Sequence, residues 1–284
     1  MRAISTLFAL AVLFNCATLA VDQEQVANET VAPPSTERVL RSLPFTYFVA
    51  DAVGMGSSAF RIGGEKSPVI FIESFPAKSA CKFDPFEITK ADLIIQNVHG
   101  HITHYDPDVC ARVAEKTDAL VLGNGKFKAD MLARGIPAGK IIELSPEPGK
   151  KVSVTIESLG LTVTSYRMEH TMMPGIYVDT YLVEMANGVR WYHGTCSSGP
   201  ETMKWMSIYP ELKNLDVMII DCDMDFAVLK AKFKPRVIIL SHNFKARIKP
   251  APAIVYTNYP AGELVLENGQ TWLFKSRSNA EPNQ

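Results

Sequence analysis

The chain has 284 residues, of which 47% are hydrophobic and 21% charged, and its formal net charge is −1. This is an ordinary globular composition, long enough for one large domain with a core of its own, so a scaffold held together by disulfides is not expected. With no long basic block, the electrostatic footprint of a nucleic-acid binder is missing, and nucleic acid is not expected as a partner.

Residues 1–20 combine an early Arg2, an apolar core from Leu7 to Phe14 and small residues towards Ala20, the pattern of a cleaved secretory signal. The apolar core is too short for a membrane span, and no stop-transfer pattern follows it. Secretion would carry Cys81, Cys110, Cys196 and Cys222 into an oxidising compartment, where two disulfides are possible and none is required. Residues 21–43 are polar, contain Pro33-Pro34 and lack hydrophobic periodicity, so they read as a flexible arm. The arm holds the glycosylation sequon Asn28-Glu29-Thr30. It also holds Arg38-Val39-Leu40-Arg41, which resembles the R-x-L-R signature of secreted effectors of plant-pathogenic oomycetes. That resemblance implies delivery into a host cell and a host-cell target. The acidic segment that follows the signature in that family has no clear counterpart here, and two arginines in a solvated linker are the plainer reading.

The folded domain is expected over residues 44–275, ahead of a polar tail at 276–284. It opens with β-branched and aromatic runs at Phe45 to Val53, Ala59 to Ile62 and Val69 to Phe75, broken by glycines as in a sheet. Next comes Ala91 to Asp108, ADLIIQNVHGHITHYDPD, an apolar run that stops at His99, His101 and His104. A helix is predicted from Val109 to Lys116, a strand from Ala119 to Gly123, and a helix from Lys126 to Arg134 ended by Gly135. Three further strands are predicted at Lys140 to Leu144, Val152 to Ser158 and Leu161 to Glu169, the last running into His170. Tyr177 to Met185 and Val189 to Tyr192 flank Asn187-Gly188, the strongest hairpin signal in the chain, and deliver His193 and Cys196. A helix from Glu201 to Leu212 precedes the strand Val217 to Ile220, which ends at Asp221-Cys222-Asp223. After another helix, the strand Arg236 to Leu240 ends in Ser241-His242. Strands at Ala253 to Thr257, Glu263 to Leu266 and Thr271 to Phe274 close the domain. Strands alternating with helices argue for an α/β domain.

The six histidines, at 99, 101, 104, 170, 193 and 242, all follow apolar, strand-like runs. Neutral imidazoles at i and i+2 on a loop after a strand can converge on one divalent ion, for which zinc is the usual occupant. In chain order, His99, His101, His104, His170, Cys196 and His242 resemble the ligand order of the metallo-β-lactamase superfamily, particularly its branch similar to ascorbate-phosphate lactonase. Four pieces carry the resemblance, between Phe45 and His242. They are LIIQNVHGHITHYDP against strand-T-H-x-H-x-D-H-x-D-P, the lone His170, VEMANGVRWYHGTC against a hairpin ending in a Gly-Asp-Thr turn, and VIILSHN against a strand ending in histidine.

The resemblance implies a four-layer αββα sandwich with a metal site at one rim. Matched residue by residue, His99, His101 and His170 correspond to ligands of a first metal, and His104 and His242 to ligands of a second. Thr103 stands where the family has an aspartate between the histidines. The family's bridging aspartate falls on Cys196 if the hairpin is matched without a gap, or on Thr195 if its glycine is matched. The implied cofactor is therefore one zinc rather than two. Three imidazoles plus water form a catalytic zinc arrangement that lowers the water pKa from about 15.7 to about 7. The implied activity is hydrolysis of a small-molecule ester, lactone or phosphoester. Cys196 stays open between a thiolate ligand and a disulfide with Cys222. Asp221, Asp223 and Asp225 stay open between replacing a lost carboxylate and forming a solvated loop. His193 is expected to support the site rather than bind metal, and Asp106 to cap a helix. The alternative is a secreted effector or binding protein that keeps the sandwich as a scaffold after losing full catalytic ability.

Overall fold

The computed structural model describes residues 42–48, 59–77, 79, 81–98, 105–170, 175–194, 197, 200–221, 226–241, 253–257 and 263–275. Its first half contains β1 (Ser42–Phe48), β2 (Ala59–Gly64), β3 (Ser67–Ile72), β4 (Leu93–Ile95), α1 (Pro107–Thr117), β5 (Leu120–Gly123), α2 (Gly125–Ala133) and β6 (Ile141–Glu143). Its second half contains β7 (Lys151–Ile156), β8 (Leu161–Glu169), β9 (Tyr177–Met185), β10 (Arg190–His193), α3 (Pro200–Met206), β11 (Val217–Asp221), α4 (Phe226–Phe233) and β12 (Val237–Ser241). Three strands follow: β13 (Ala253–Tyr256), β14 (Glu263–Leu266) and β15 (Thr271–Lys275).

Among the described residues these strands form two sheets, in the orders β15-β1-β2-β3-β4-β5-β6 and β14-β13-β12-β11-β10-β9-β8-β7. The chain passes from the second sheet back to the first between β14 and β15, and β15 pairs antiparallel with β1. Strands β3 to β6 are parallel, as are β10 to β12. Parallel strands are covered on both faces, so they are apolar throughout rather than alternating. In β3, Ile70 and Ile72 face the second sheet while Val69 and Phe71 face the helices α1 and α2. In β11, Val217 and Ile219 face the first sheet while Met218 and Ile220 join the cluster that contains residues of α3 and α4. Three apolar layers thus separate four layers of secondary structure, which is the expected αββα sandwich. Among the described residues no helix is long and apolar enough to cross a membrane.

Local signals explain most element ends. Asp106 caps α1 as expected, its carboxylate accepting from the N–H groups of Asp108 and Val109, and Pro107 fills the first helical position. The Asn187-Gly188 turn joins β9 to β10, with Gly188 at φ 77° and the Asn187 side chain accepting from Val189 N–H. The helix predicted from Glu201 to Leu212 is shorter than expected. It stops at Met206, and a separate 3₁₀ turn covers Pro210–Leu212. The cause is Pro210, which has no N–H to donate and holds Tyr209 before it in an extended conformation at φ −103°, ψ 99°. The first strand runs from Ser42 rather than Phe45, because pairing with β15 orders its start; residues 49–53 lie outside the described residues.

Cys81 and Cys110 are free thiols. Burial raises both, Cys81 to about 11 and Cys110 further, so neither is the low-pKa thiolate of a reactive cysteine. Cys196 and Cys222 lie outside the described residues.

Candidate metal centre

The sheet register gathers strand ends at one rim. In the second sheet, Glu169 at the end of β8 pairs with Tyr177 at the start of β9, and His193 at the end of β10 pairs with both Tyr181 of β9 and Ile219 of β11. Asp221 then pairs with Ser241, so β11 and β12 end level with each other. The carboxyl ends of β8, β10, β11 and β12 therefore point to the same edge of the second sheet, with β10 stopping opposite Ser165, short of the end of β8. In the first sheet, the residues that follow β4 and β5 make polar contacts with β9. Tyr181 OH donates to Gln96 O at 3.4 Å, and Asp179 N–H donates to Asn97 Oδ1 at 3.3 Å.

His170 is the candidate ligand that the structure describes. It follows β8 directly, is 5% exposed, and its N–H donates to Ile176 O at 2.8 Å. Ser197 ties the exit of the β9–β10 hairpin to the same place. Its hydroxyl donates to Glu169 O at 3.0 Å, and its N–H donates to Gly194 O. His99, His101, His104, Cys196 and His242 lie outside the described residues, as do Thr103, Thr195, Asp223 and Asp225. The strand-end segments that precede them, Val98, Gly194, Asp221 and Ser241, are described and lie along the rim. Among the described residues there is no group of three or more His, Cys, Asp or Glu side chains able to hold a metal ion. His193 is fully buried at the end of β10, with its ring edge-on to Phe60 at 6.5 Å, a position within the core rather than on the rim surface.

A buried polar network that sequence reasoning missed holds the chain where it leads into the histidine segment. Glu73 follows β3 in a left-handed backbone conformation, φ 54°, which costs a non-glycine residue on the order of 1 kcal/mol. Its Oε1 accepts from Asn97 N–H at 2.8 Å, two residues before His99. Asn124, after β5, donates from Nδ2 to both Val98 O and Asp179 Oδ2, each at 2.9 Å. Arg167 Nη1 lies 3.8 Å from Asp179 Oδ1. On the far side of the loop, Tyr105 bridges to Phe75, and Asp106 N–H donates to Phe75 O at 2.7 Å. The chain is thus anchored immediately before His99 and immediately after His104. Gly123 leaves room for this arrangement, since a Cβ there would sit 2.8 Å from Gln96 O.

The network's electrostatics are set by burial. Glu73 is fully enclosed, and loss of solvation raises its pKa to about 8; the Asn97 N–H pulls it down and the nearby Asp179 pushes it further up. Asp179 is also raised by burial, against the lowering effects of Asn124 and Arg167.

No protein-family model and no curated protein matches the sequence. Solved structures do match. A novel metallo hydrolase, Igni18, from Ignicoccus hospitalis shares 17% identity over 71% of this chain and 83% of its own, with a TM-score of 0.51. An isothiocyanate hydrolase from Delia radicum gut bacteria shares 12% identity over 82% of this chain and 100% of its own, also at 0.51. A possible metal-dependent hydrolase from Veillonella parvula shares 10% identity over 70% of this chain and 84% of its own, at 0.50. With the layer order described above, these likenesses establish the fold as the metallo-β-lactamase-like sandwich.

Proposed function

We propose that the chain is a secreted, metal-dependent hydrolase of the metallo-β-lactamase superfamily, taking one zinc through His99, His101 and His170 and acting on a small-molecule ester, lactone or phosphoester. The observation that carries this reading is the register of the two sheets. The strands that run into His99, His170 and His242, and the hairpin that runs into Cys196, all end on one rim. The donor chemistry suits the ion, because neutral imidazoles are favoured zinc ligands and the described one, His170, is buried at its strand end. When bound, zinc supplies a water acidic enough to give hydroxide near neutrality.

The chain's own residues supply the rest. By the family match, His104 and His242 correspond to ligands of a second ion, and Cys196 to the bridging position if the hairpin is matched without a gap. Thr103, matched to the family's aspartate, has a neutral hydroxyl in place of a carboxylate, so it neither balances the charge of a second ion nor takes a proton as a base. That substitution motivates the second reading, an effector or binding protein on the same scaffold. Secretion rests on residues 1–20, and delivery into a host cell on Arg38 to Arg41.

Metal analysis of the purified mature protein should find close to one zinc per chain, and His99→Ala/His101→Ala should lose it. Wild-type protein without metal would sink the enzyme reading. Bound metal without turnover across ester, lactone and phosphodiester substrates would favour the scaffold.

A further inference from the structure

Asn124 holds three regions of the molecule at once. Its Oδ1 accepts from Phe127 N–H at 3.1 Å and caps α2. Its Nδ2 donates to the carbonyl of Val98, the residue before His99, and to the carboxylate of Asp179 in the opposing sheet. Asn124 is 6% exposed and Asp179 1% exposed. Capping alone does not explain asparagine here, because aspartate or serine caps a helix as well. The amide differs in carrying an acceptor at one position and two donor hydrogens at the other. Here both hydrogens are directed to named acceptors, one on the histidine loop and one on the second sheet. Aspartate would keep the cap but set a second carboxylate against Asp179, and serine has no second arm.

We infer that Asn124 is a positioning residue for the histidine loop. It fixes the entry to His99 against both sheets, so that metal affinity depends on a side chain that is not a ligand. The functional consequence rests on the metal-centre reading above, whereas the tether itself does not. Groups that support metal ligands from behind are worth about 10–100-fold in metal affinity.

The test uses the full mature protein, zinc as the probe, and the variants Asn124→Asp and Asn124→Asp/Asp179→Asn. Zinc affinity is read by chelator competition. Hydrogen exchange across residues 93–106 is read without metal, beside the melting temperature. Asn124→Asp should weaken zinc by at least about 10-fold and speed exchange at the loop entry, while α2 keeps its protection. In the double variant, the new amide at position 179 can donate to the new carboxylate at position 124. That restores the link between sheets and keeps the cap, but gives the Val98 carbonyl no donor. Its melting temperature should recover while zinc affinity and loop exchange do not. If Asn124→Asp binds zinc as wild type does with unchanged exchange, or if the double variant recovers all three readouts, the inference is overturned. If wild type takes no zinc, the metal reading falls, and loop exchange alone decides the tether: faster exchange supports it and unchanged exchange overturns it. If Asn124→Asp does not fold, Asn124→Ser carries the same readouts.

Discussion

Between pH 4.5 and pH 8 the wild-type protein is expected to lose stability against urea that Glu73→Gln retains. Burial raises the Glu73 pKa from 4.5 to about 8, so the folded chain keeps a proton that the unfolded chain releases across this window. A raised folded pKa gives stability that is fully present below about 4.5, falls as pH rises, and is lost once pH passes about 8. Each pH unit inside the window is worth about 1.4 kcal/mol, so the difference between the two proteins should grow by up to about 4 kcal/mol. Glutamine keeps an oxygen for the Asn97 N–H and removes the ionisation. Ionisable groups that do not interact with Glu73 contribute equally in both proteins and cancel in the comparison. Urea midpoints measured at half-unit steps would show it; parallel curves for the two proteins would mean that Glu73 is ionised in the fold throughout.

Trp191→Ala should cost about 3–5 kcal/mol, read as a lower urea midpoint at an unchanged slope. Trp191 is fully buried on the inner face of β10, and its ring stands edge-on to Phe45 of the other sheet at 6.5 Å and 86°. It therefore fills the layer that holds the two sheets together. Its indole N–H has no hydrogen-bond partner among the described residues, so Trp191→Phe deletes volume without stranding an acceptor there and should cost clearly less. Equal losses for phenylalanine and alanine would show that this position is not closely packed.

The sandwich was legible because its signals are local and repeated. Continuous apolar runs such as Val217 to Ile220 mark strands covered on both faces, and Asp106-Pro107 and Asn187-Gly188 mark a helix start and a hairpin. The order of histidines at strand ends pointed to the rim at which those strands finish. What the sequence did not disclose was the layer beneath. Glu73 lies inside the apolar run VIFIESF, which gives no sign of what its carboxylate meets. Asp179 reads like any polar residue in a strand until pairing shows that it shares the inner face with Tyr181 and Val183. Asn124 looks like an ordinary helix cap, since its other two partners are 26 and 55 residues away in sequence. Long-range pairing alone brings such residues together.

The pairing of the first strand with the last has a mechanical consequence. Ser42 lies opposite Lys275, so the described domain begins and ends on adjacent strands, about 5 Å apart. A load applied through residues 42 and 275 pulls across the β1–β15 ladder rather than along it. The pairs Ser42–Lys275, Leu43–Phe274 and Pro44–Leu273 then separate in succession, as in a zipper, instead of resisting together in shear. Single-molecule pulling through these two points should open β15 at lower force than pulling through residues 48 and 275, which loads the same ladder lengthwise. Equal forces would mean that the resistance lies deeper in the sandwich than its closing strand.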